Sequence, residues 1–384
     1  MKRRALIVAM SVGGGHGRAG ECVAAALREL APEWEVRCID LRDHAVGWFR
    51  WFYVAGYLFM IRHLPWLWRY FYSRPPRKGG GTLPPWVVRT ALRPFLRLVR
   101  EFEPEVIVAT QITASEAAAD LVRRGEFDGV AATVVTDFDA HPSWRTDHIH
   151  RFFVPDEALC EAFAKTGIAP DRMEATGVPI DPAFEGEFDT AAIRERRGLR
   201  PGVPVVFLMG GSLGLGALED AARELVAAGD ARDVVVVAGH NDRLRRSLEA
   251  LEPSGESRLV VLGFIDFVPE LMAVSDVFVS KPGGLSMTEA VTMGVPTLVV
   301  APLAGQERAN ARHLEEQGVV QCLGPDEAVA PAVEGLLGDA ETRHRLSSAA
   351  RAYAHRGSAR RIAQCLLELA GGRSRKPEFV MRNS

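Results

Sequence analysis

The chain has 384 residues, of which 47% are hydrophobic and 25% charged, and its formal net charge at pH 7 is −3. This is the composition of an ordinary globular protein. It has no overall positive charge that would indicate a nucleic-acid-binding or membrane-binding protein, and the length favours two domains. The five cysteines, at positions 22, 38, 160, 322 and 365, show no CxxC spacing, which argues against a zinc site and suits a reducing cytoplasm.

The first half of the chain alternates strand-like and helical runs, which predicts a parallel α/β layer. Its first apolar run is too short for a signal peptide, so we expect a cytoplasmic protein. Five strands are predicted: Ala5–Met10, Glu35–Asp40, Val106–Thr110, Ala132–Asp137 and Phe152–Pro155. They predict a Rossmann-like first domain over residues 1–180.

A glycine-rich loop follows the first predicted strand and ends in Gly14-Gly15-His16. A histidine in a loop that faces a cleft can act as a general base, because its charge changes near neutral pH. Residues 15–20 also satisfy the GxGxxG pattern, and Asp40 ends the second strand about 20 residues later, so a dinucleotide-binding enzyme is a competing prediction. That alternative leaves a second glycine-rich segment, at 281–289, unexplained. A histidine that only caps the following helix is the simplest alternative.

Residues 44–100 form a segment without any acidic residue, and they hold ten basic residues, four of the five tyrosines and five of the seven tryptophans. The apolar run Trp51–Ile61 within it is too short to span a bilayer. Aromatic rings mixed with arginines predict a surface that rests on anionic lipid headgroups. Binding of single-stranded nucleic acid uses the same residue types, and a buried helical hairpin is the plainer alternative. The residues predicted to meet the membrane are Trp51, Arg62, Trp66, Trp68, Arg69 and Arg74.

A looser stretch with prolines and charges, residues 181–203, is predicted to be a linker. The second half then repeats the alternation with six predicted strands: Val205–Gly210, Val234–Gly239, Leu259–Gly263, Val277–Ser280, Thr297–Ala301 and Val319–Cys322. Helical segments separate these strands and close the chain around residues 342–371. We expect a second Rossmann-like domain over residues 204–371 and a flexible tail over residues 372–384.

The fourth strand of the second half ends in glycines that lead into a helix. The strand gives way to Gly283-Gly284, and the helical pattern starts at Leu285-Ser286. Unpaired backbone N–H groups and the positive end of the helix dipole then point at one spot, which is the geometry of a diphosphate site. A crossover whose glycines only turn the chain is the plain alternative.

Polar side chains after these glycines suit the rest of a nucleotide sugar. Glu289, one turn into the helix, can accept hydrogen bonds from the two hydroxyls of a ribose. Beyond the next strand, Gln306 and Asn310 are four residues apart and share one helix face, with Glu307 beside them. Amide and carboxylate groups at that spacing suit the hydroxyls of a hexose.

These residues closely resemble the donor-binding signature of glycosyltransferase family 28. Its enzymes have the GT-B fold, an α/β architecture in which two Rossmann-like domains face a central cleft. The loop that ends in His16 resembles the acceptor-side loop of the family's diacylglycerol glycosyltransferases, which continue His-Arg-Ala-Ser where this chain has an extra Gly17. The turn with Thr136-Asp137 and His141-Pro142-x-Trp144 resembles the same enzymes.

The resemblance implies an inverting transfer of a hexose from UDP-glucose or UDP-galactose to the hydroxyl of diacylglycerol, at the inner face of the cell membrane. It implies His16 or Asp137 as the base. The acceptor side would be lined by Gly14, Gly15, His141 and Trp144. The implied donor contacts are Gly211, Ser212, Phe264, Ile265, Gly283, Gly284, Leu285, Ser286, Glu289, Gln306, Glu307 and Asn310. For Phe264, simple packing in the core is the alternative.

The resemblance implies no metal cofactor and no nucleic-acid partner. Asp137-x-Asp139 has the spacing of the DxD motif that holds manganese in GT-A transferases, but it lies in the acceptor half, away from the diphosphate site. Three other functions remain open. They are transfer of N-acetylglucosamine to an undecaprenyl-linked peptidoglycan precursor, epimerisation of a UDP-sugar, and a catalytically silent sugar-nucleotide sensor.

Overall fold

The computed structural model of the chain describes residues 2–10, 14–51, 56, 85–211, 218–300, 305–324 and 327–373. Within these residues the chain forms two six-stranded sheets, and neighbouring strands are parallel throughout. Short continuous apolar runs make most of the strands, as is usual for parallel sheets that are buried on both faces. In this part of the chain, every helix is too short or too polar to cross a bilayer.

The first sheet is made of β1 (Arg4–Ala9), β2 (Glu35–Asp40), β3 (Val106–Ala109), β4 (Val130–Val134), β5 (Arg151–Val154) and β6 (Met173–Ala175). Its strand order is β2-β1-β3-β4-β5-β6. The five strands predicted in this half are confirmed to within a few residues at their ends. The sixth, β6, was missed because the sequence Met-Glu-Ala contains no apolar run.

Helices of the first half are α1 (Gly15–Leu30), α2 (Pro85–Ala91), α3 (Arg93–Phe102), α4 (Ile112–Arg123) and α5 (Glu157–Thr166). Residues 47–51 are also helical. Short 3₁₀ helices lie at Pro142–Trp144, Pro170–Arg172 and Pro182–Glu185.

The second sheet is made of β7 (Val205–Met209), β8 (Arg232–Val237), β9 (Ser257–Leu262), β10 (Val277–Ser280), β11 (Thr297–Val299) and β12 (Gln321–Cys322). Its order, β12-β11-β10-β7-β8-β9, is that of a Rossmann fold. All six predicted strands are confirmed, although the last is shorter than predicted. The helices of this half are α6 (Thr190–Arg196), α7 (Leu218–Ala227), α8 (Asp242–Glu249), α9 (Val268–Val274), α10 (Gly284–Met293), α11 (Gln306–Glu316), α12 (Val329–Gly338), α13 (Ala340–Tyr353) and α14 (Ser358–Arg373).

The closing helix α14 returns to the first sheet. Its Ile362 and Leu366 are buried in one cluster with Val23 and Leu27 of α1, and the Ser358 hydroxyl donates a 2.7 Å hydrogen bond to the Gly177 carbonyl. The predicted second domain, residues 204–371, thus includes a helix that packs in the core of the first. The predicted linker, residues 181–203, contains α6, and the exact domain boundaries stay a prediction.

The two sheets meet at the carboxyl ends of their strands. Strand order reverses between β1 and β3 in the first sheet and between β7 and β10 in the second, and ligands of open parallel sheets bind at such points. Gly284, after β10, lies so close to the carbonyl oxygen of Thr136, after β4, that a Cβ at this position would overlap it. The carboxyl edges of both sheets, where ligands of such sheets bind, therefore face each other.

Candidate active site

His16 is the second residue of α1 and is held by the loops that follow neighbouring strands. Its Nδ1 lies 2.8 Å from the Thr136 hydroxyl, and its carbonyl accepts a 2.8 Å hydrogen bond from the Thr110 hydroxyl. When Nδ1–H donates to Thr136, Nε2 keeps the lone pair that a general base needs. The N-cap residue of α1 is Gly14, so the alternative in which His16 only caps this helix is wrong.

Asp137 is buried directly after Thr136. Gln306 Nε2 donates a hydrogen bond to its Oδ1, and the Trp144 side chain also donates to its carboxylate. Burial raises the pKa of Asp137, although the charge of His16 and the hydrogen bonds from Gln306 and Trp144 oppose this effect. The two candidate bases therefore lie close enough to influence each other. A carboxylate with a raised pKa is also the better proton acceptor once it is ionised.

The turn that follows Asp137 places the Trp144 side chain within hydrogen-bond distance of this carboxylate. The His141 Nδ1 accepts a 3.2 Å hydrogen bond from the Ser143 N–H and so caps the short helix Pro142–Trp144. Because Trp144 is fully buried, the predicted contact of its ring with an acceptor would need a rearranged turn, and it stays a prediction. Among the described residues, no three His, Cys, Asp or Glu side chains are grouped so that they could hold a metal ion.

The glycine loops of the two domains approach each other across the cleft. A Cβ at Gly15 would lie 3.7 Å from the Cβ of Leu285, which is ordinary van der Waals contact. Gly15 begins α1 and Leu285 lies in the first turn of α10. The structure therefore brings the predicted acceptor-side loop next to the predicted diphosphate site.

The first turn of α10 has no side-chain cap among the described residues. Its N-cap residue is Gly283, which has no side chain to accept hydrogen bonds from the first-turn N–H groups. Other helices carry such an acceptor: Asp156 caps α5, Asn241 caps α8 and Asp339 caps α13. The N–H groups at the start of α10, together with the helix dipole, are thus placed to bind a diphosphate.

Lys281 adds a positive charge to this site, which the sequence-based prediction did not include. Its Nζ lies 2.6 Å from Glu307 Oε1, and both side chains are largely buried. A Cβ at Gly211, at the end of β7, would lie 4.0 Å from Lys281 Cε. A lysine directly before a Pro-Gly-Gly turn was the signal that could have revealed it. Because Glu307 forms this ion pair with Lys281, the contact of Glu307 with a hexose stays a prediction.

Glu289 lies in the second turn of α10 and is almost fully buried. Burial raises the pKa of its carboxyl from 4.5 to about 8, against the lowering effect of the Arg18 charge and with a further increase from Asp181. Arg18 lies on α1 of the first domain, so this carboxyl faces the domain interface. An acid that is held neutral at a cleft is a common mark of a functional site.

Gln306 and Asn310 share one face of α11, as predicted, but that face is turned towards the first domain. Gln306 donates to Asp137. Asn310 accepts a 2.8 Å hydrogen bond from the Phe138 N–H and donates one of 3.1 Å to the Pro282 carbonyl. Both side chains have protein partners in this structure. Their predicted contacts with hexose hydroxyls would require these bonds to be exchanged for bonds to the sugar.

Phe264 follows β9 with 59% of its surface exposed. The alternative in which Phe264 packs in the core is therefore wrong. Its ring stacks on His240, which follows β8, with the centroids 4.4 Å apart and an interplanar angle of 11°. Ile265 packs against the main core. The two rings form an exposed aromatic surface at the carboxyl edge of the second sheet, and the role of His240 in it was not predicted.

Part of the predicted site lies outside the described residues, namely Ser212, Arg62, Trp66, Trp68, Arg69 and Arg74. In the described part of the acid-free segment, residues 44–100, Trp48, Trp51 and Trp86 are 50%, 67% and 72% exposed. Together with Phe264 they are the large hydrophobic residues that the described part of the chain exposes. The described ends of the segment thus carry exposed tryptophans.

Two family models match the chain, one on each half. The Monogalactosyldiacylglycerol (MGDG) synthase model matches residues 16–180, and the Glycosyltransferase family 28 C-terminal domain matches residues 205–364. The Processive diacylglycerol beta-glucosyltransferase of Bacillus subtilis (strain 168) is 32% identical over 253 residues, which are 65% of this chain and 65% of that protein. The Monogalactosyldiacylglycerol synthase, chloroplastic, of Spinacia oleracea is 26% identical over 353 residues, 88% of this chain and 66% of that protein.

The alignments with these two relatives span slightly less than two thirds of the relatives' own length. Among solved structures, MurG of Acinetobacter baumannii superimposes with a TM-score of 0.63 at 14% identity, over 96% of this chain and 100% of that one. At this identity the likeness shows the fold alone, and it confirms the predicted GT-B architecture. The chain therefore belongs to glycosyltransferase family 28, with a first half of the monogalactosyldiacylglycerol synthase kind.

Proposed function

We propose that the protein is an inverting hexosyltransferase that moves glucose or galactose from a UDP-sugar to the hydroxyl of diacylglycerol. One observation carries the proposal: the turn with the candidate base Asp137 lies against Gly284, at the start of α10, which has no side-chain cap among the described residues. The candidate proton acceptor and the candidate diphosphate site thus lie side by side, as transfer from a nucleotide sugar requires. The matches of the two halves to glycolipid-synthesising enzymes support the same activity.

The donor would lie along the carboxyl edge of the second sheet. The diphosphate would bind the first-turn N–H groups of α10 and the Lys281 ammonium. Glu289 would accept hydrogen bonds from the ribose, and the exposed ring of Phe264 would cover the uracil. The hexose would then lie near Gln306, on the side of the cleft that carries Asp137.

The chemistry follows from these positions. The acceptor oxygen attacks the anomeric carbon from the side opposite the UDP, and His16 Nε2 or the Asp137 carboxylate takes its proton. The new carbon–oxygen bond forms as the bond to the diphosphate breaks, and UDP leaves with the electron pair. The head of α10 stabilises the negative charge on UDP. Attack from the opposite side inverts the anomeric configuration.

The acceptor would be reached at an anionic membrane surface. The exposed rings of Trp48, Trp51 and Trp86 suit the depth of the lipid headgroups, and exposed arginines such as Arg50 and Arg93 suit anionic lipid. The protein would bind the inner face of the cell membrane from the cytoplasm. Diacylglycerol, which stays in the bilayer, would then enter the cleft from the membrane side.

A transfer assay tests the proposal. The purified protein is incubated with vesicles that contain diacylglycerol and with radiolabelled UDP-glucose, UDP-galactose or UDP-N-acetylglucosamine, and the lipid phase is resolved by thin-layer chromatography. We expect label in a glycolipid from one of the UDP-hexoses, only when diacylglycerol is present. A parallel incubation replaces diacylglycerol with an undecaprenyl-linked acceptor. Label that appears only there, or a converted UDP-sugar without labelled lipid, would contradict the proposal and support an alternative.

A further inference from the structure

One face of α11 connects the two domains through three side chains. Gln306, Asn310 and His313 follow the spacing i, i+4, i+7, which places them on one face of a helix. Each of them contacts the first domain, although α11 belongs to the second sheet. Their partners lie in the loops after β4 and β5. This face is therefore a contact between domains at the edge where ligands bind.

Asn310 joins the loop of the candidate base to the donor loop. Its Oδ1 accepts the Phe138 N–H at 2.8 Å, and its Nδ2 donates to the Pro282 carbonyl at 3.1 Å. Phe138 directly follows Asp137, and Pro282 directly precedes the glycines that start α10. Asn310 is fully buried, so water does not compete for these bonds. A single amide thus sets the distance between the two halves of the site.

His313 holds the same loop from a second direction. Its Nε2 lies 2.7 Å from Asp156 Oδ2, and its ring stacks on Phe138 with the centroids 6.1 Å apart at an angle of 20°. The Tyr353 hydroxyl donates to the same Asp156 oxygen, while Asp156 Oδ1 accepts the Leu159 N–H at 2.7 Å. His313 therefore fixes the side chain of Phe138 as Asn310 fixes its backbone.

The Asp156 carboxylate is a strong partner because it is buried and ionised. Its burial alone would raise the pKa, but hydrogen bonds from His313 and Tyr353 outweigh that effect and lower the pKa below its usual value. Hydrogen bonds to an ionised acceptor are shorter and stronger than those between neutral groups. The contact between the domains thus rests on a charged acceptor that takes hydrogen bonds from His313 and Tyr353 of the second domain, while the Leu159 N–H of its own domain donates to the other oxygen.

We propose that His313 is a positioning residue for sugar transfer, which, together with Asn310, clamps the Asp137–Phe138 turn against the donor loop. The inference rests on the proposed function, because it concerns the alignment of that reaction. A displacement of about 1 Å at a reacting group can cost about 10²-fold in rate. Asp137 is one residue away from the clamped Phe138, so loosening the clamp moves the proton acceptor relative to the sugar. His313 itself need not touch the substrate.

The test compares three variants with the parent. His313→Ala removes the ring and the hydrogen bond, His313→Gln keeps an N–H donor for Asp156, and His344→Ala changes an exposed histidine on α13 as the control. We expect His313→Ala to lower kcat by about 10²-fold while the KM for donor and the Kd for UDP change little. His313→Gln should recover part of the loss, and the control should behave like the parent.

Hydrogen exchange supplies a readout that does not depend on activity. The Phe138 N–H is protected by Asn310, a residue of the other domain, so its exchange reports the clamp directly. We expect faster exchange at Phe138 in His313→Ala and parental exchange in His344→Ala. Unchanged exchange would overturn the clamp. Faster exchange with an unchanged kcat would overturn the positioning role. A parent that transfers no sugar would contradict the proposed function instead, and the exchange comparison would still decide whether the clamp exists.

Discussion

Two buried acids face the cleft from opposite domains, and burial disfavours the ionised form of each. Burial raises the pKa of Asp137 on the first domain and that of Glu289 on the second, the latter to about 8. Such acids cost stability, so their presence at one cleft indicates a chemical use. Asp137 suits proton transfer, whereas Glu289, on the helix of the diphosphate site, suits the ribose.

The first prediction concerns the pH dependence of UDP binding. With a pKa of about 8, Glu289 is largely protonated at pH 7 when the site is empty. Ribose hydroxyls donate to the ionised form, so binding lowers this pKa, releases a proton near pH 7, and should tighten as pH rises towards 8. Calorimetry in buffers of different ionisation enthalpy measures the proton release.

Glu289→Gln is the matched variant for this measurement. It should abolish the proton release and weaken UDP binding by about 10- to 100-fold, because hydrogen bonds to a charged group contribute about 1.5–3 kcal/mol each. The variant also reveals any titration that belongs to UDP itself. An unchanged UDP affinity in Glu289→Gln would remove the carboxylate from the donor site.

The second prediction separates the two candidate bases. If His16 takes the proton, His16→Ala should lower kcat by about 10²- to 10⁴-fold, while calorimetry finds UDP affinity close to that of the parent. Asp137→Asn keeps the size of the side chain and removes the carboxylate. Nearly full activity in His16→Ala together with loss in Asp137→Asn would assign the proton transfer to Asp137.

At the scale of elements, the third prediction concerns the head of α10. A Cβ at Gly284 would overlap the Thr136 carbonyl, whereas a Cβ at Gly283 meets no atom within 4 Å among the described residues, and Gly283 has an ordinary φ of −73°. Gly284→Ala should therefore push the domains apart, with a cost of about 1–3 kcal/mol in stability and a strong loss of kcat. Thermal unfolding of Gly283→Ala should match the parent. Equal melting temperatures for both variants would mean that the close approach is not maintained in solution.

The fourth prediction concerns the acid-free segment. Each basic residue near an anionic surface contributes about 1 kcal/mol, and exposed tryptophans add burial that salt does not screen. Vesicle sedimentation should therefore show binding that needs anionic lipid and weakens, without vanishing, in high salt. Replacing Arg62, Arg69 and Arg74 with glutamate should release the protein while UDP binding persists.

A complementary variant separates the rings from the charges. Changing Trp48, Trp51 and Trp86 together to alanine should remove the part of vesicle binding that resists salt. Phe264→Ala, an exposed aromatic residue of the other domain, should bind vesicles like the parent and bind UDP more weakly. A parent protein that ignores anionic lipid at low salt would indicate that the segment does not serve the membrane.

The sequence predicted elements well where a local pattern of residues identifies them. Strands such as β7 and β10 are short runs of buried apolar residues, and the glycines before α10 identify where this helix begins. The partners of α14 and of Asn310 could not be predicted, because they lie far away along the chain and depend on how the domains pack. The contact between Asp137 and Trp144 is local in the sequence, but it could not be predicted either, because it depends on the path of a turn. The sequence predicted that the side chains on α11 share a face, but it did not predict which residues that face contacts.

At the scale of the whole molecule, the two domains share one cluster of buried apolar residues. Phe152 and Phe163 of the first domain belong to the same cluster of buried residues as Phe207 and Met287 of the second. The chain also crosses back through α14, so the domains are joined at two places along the sequence. Two halves that share a buried cluster suit a cleft that aligns donor and acceptor in one arrangement.

The most direct test of the account is the anomeric configuration of the lipid product. Proton NMR follows the donor, an α-linked UDP-hexose, in the presence of vesicles with diacylglycerol. The account predicts that UDP appears in step with a new β-anomeric signal that extracts with the lipid. An α-linked glycolipid would contradict the inverting mechanism. Free hexose or an altered UDP-sugar, with no sugar in the lipid phase, would contradict transfer to diacylglycerol itself.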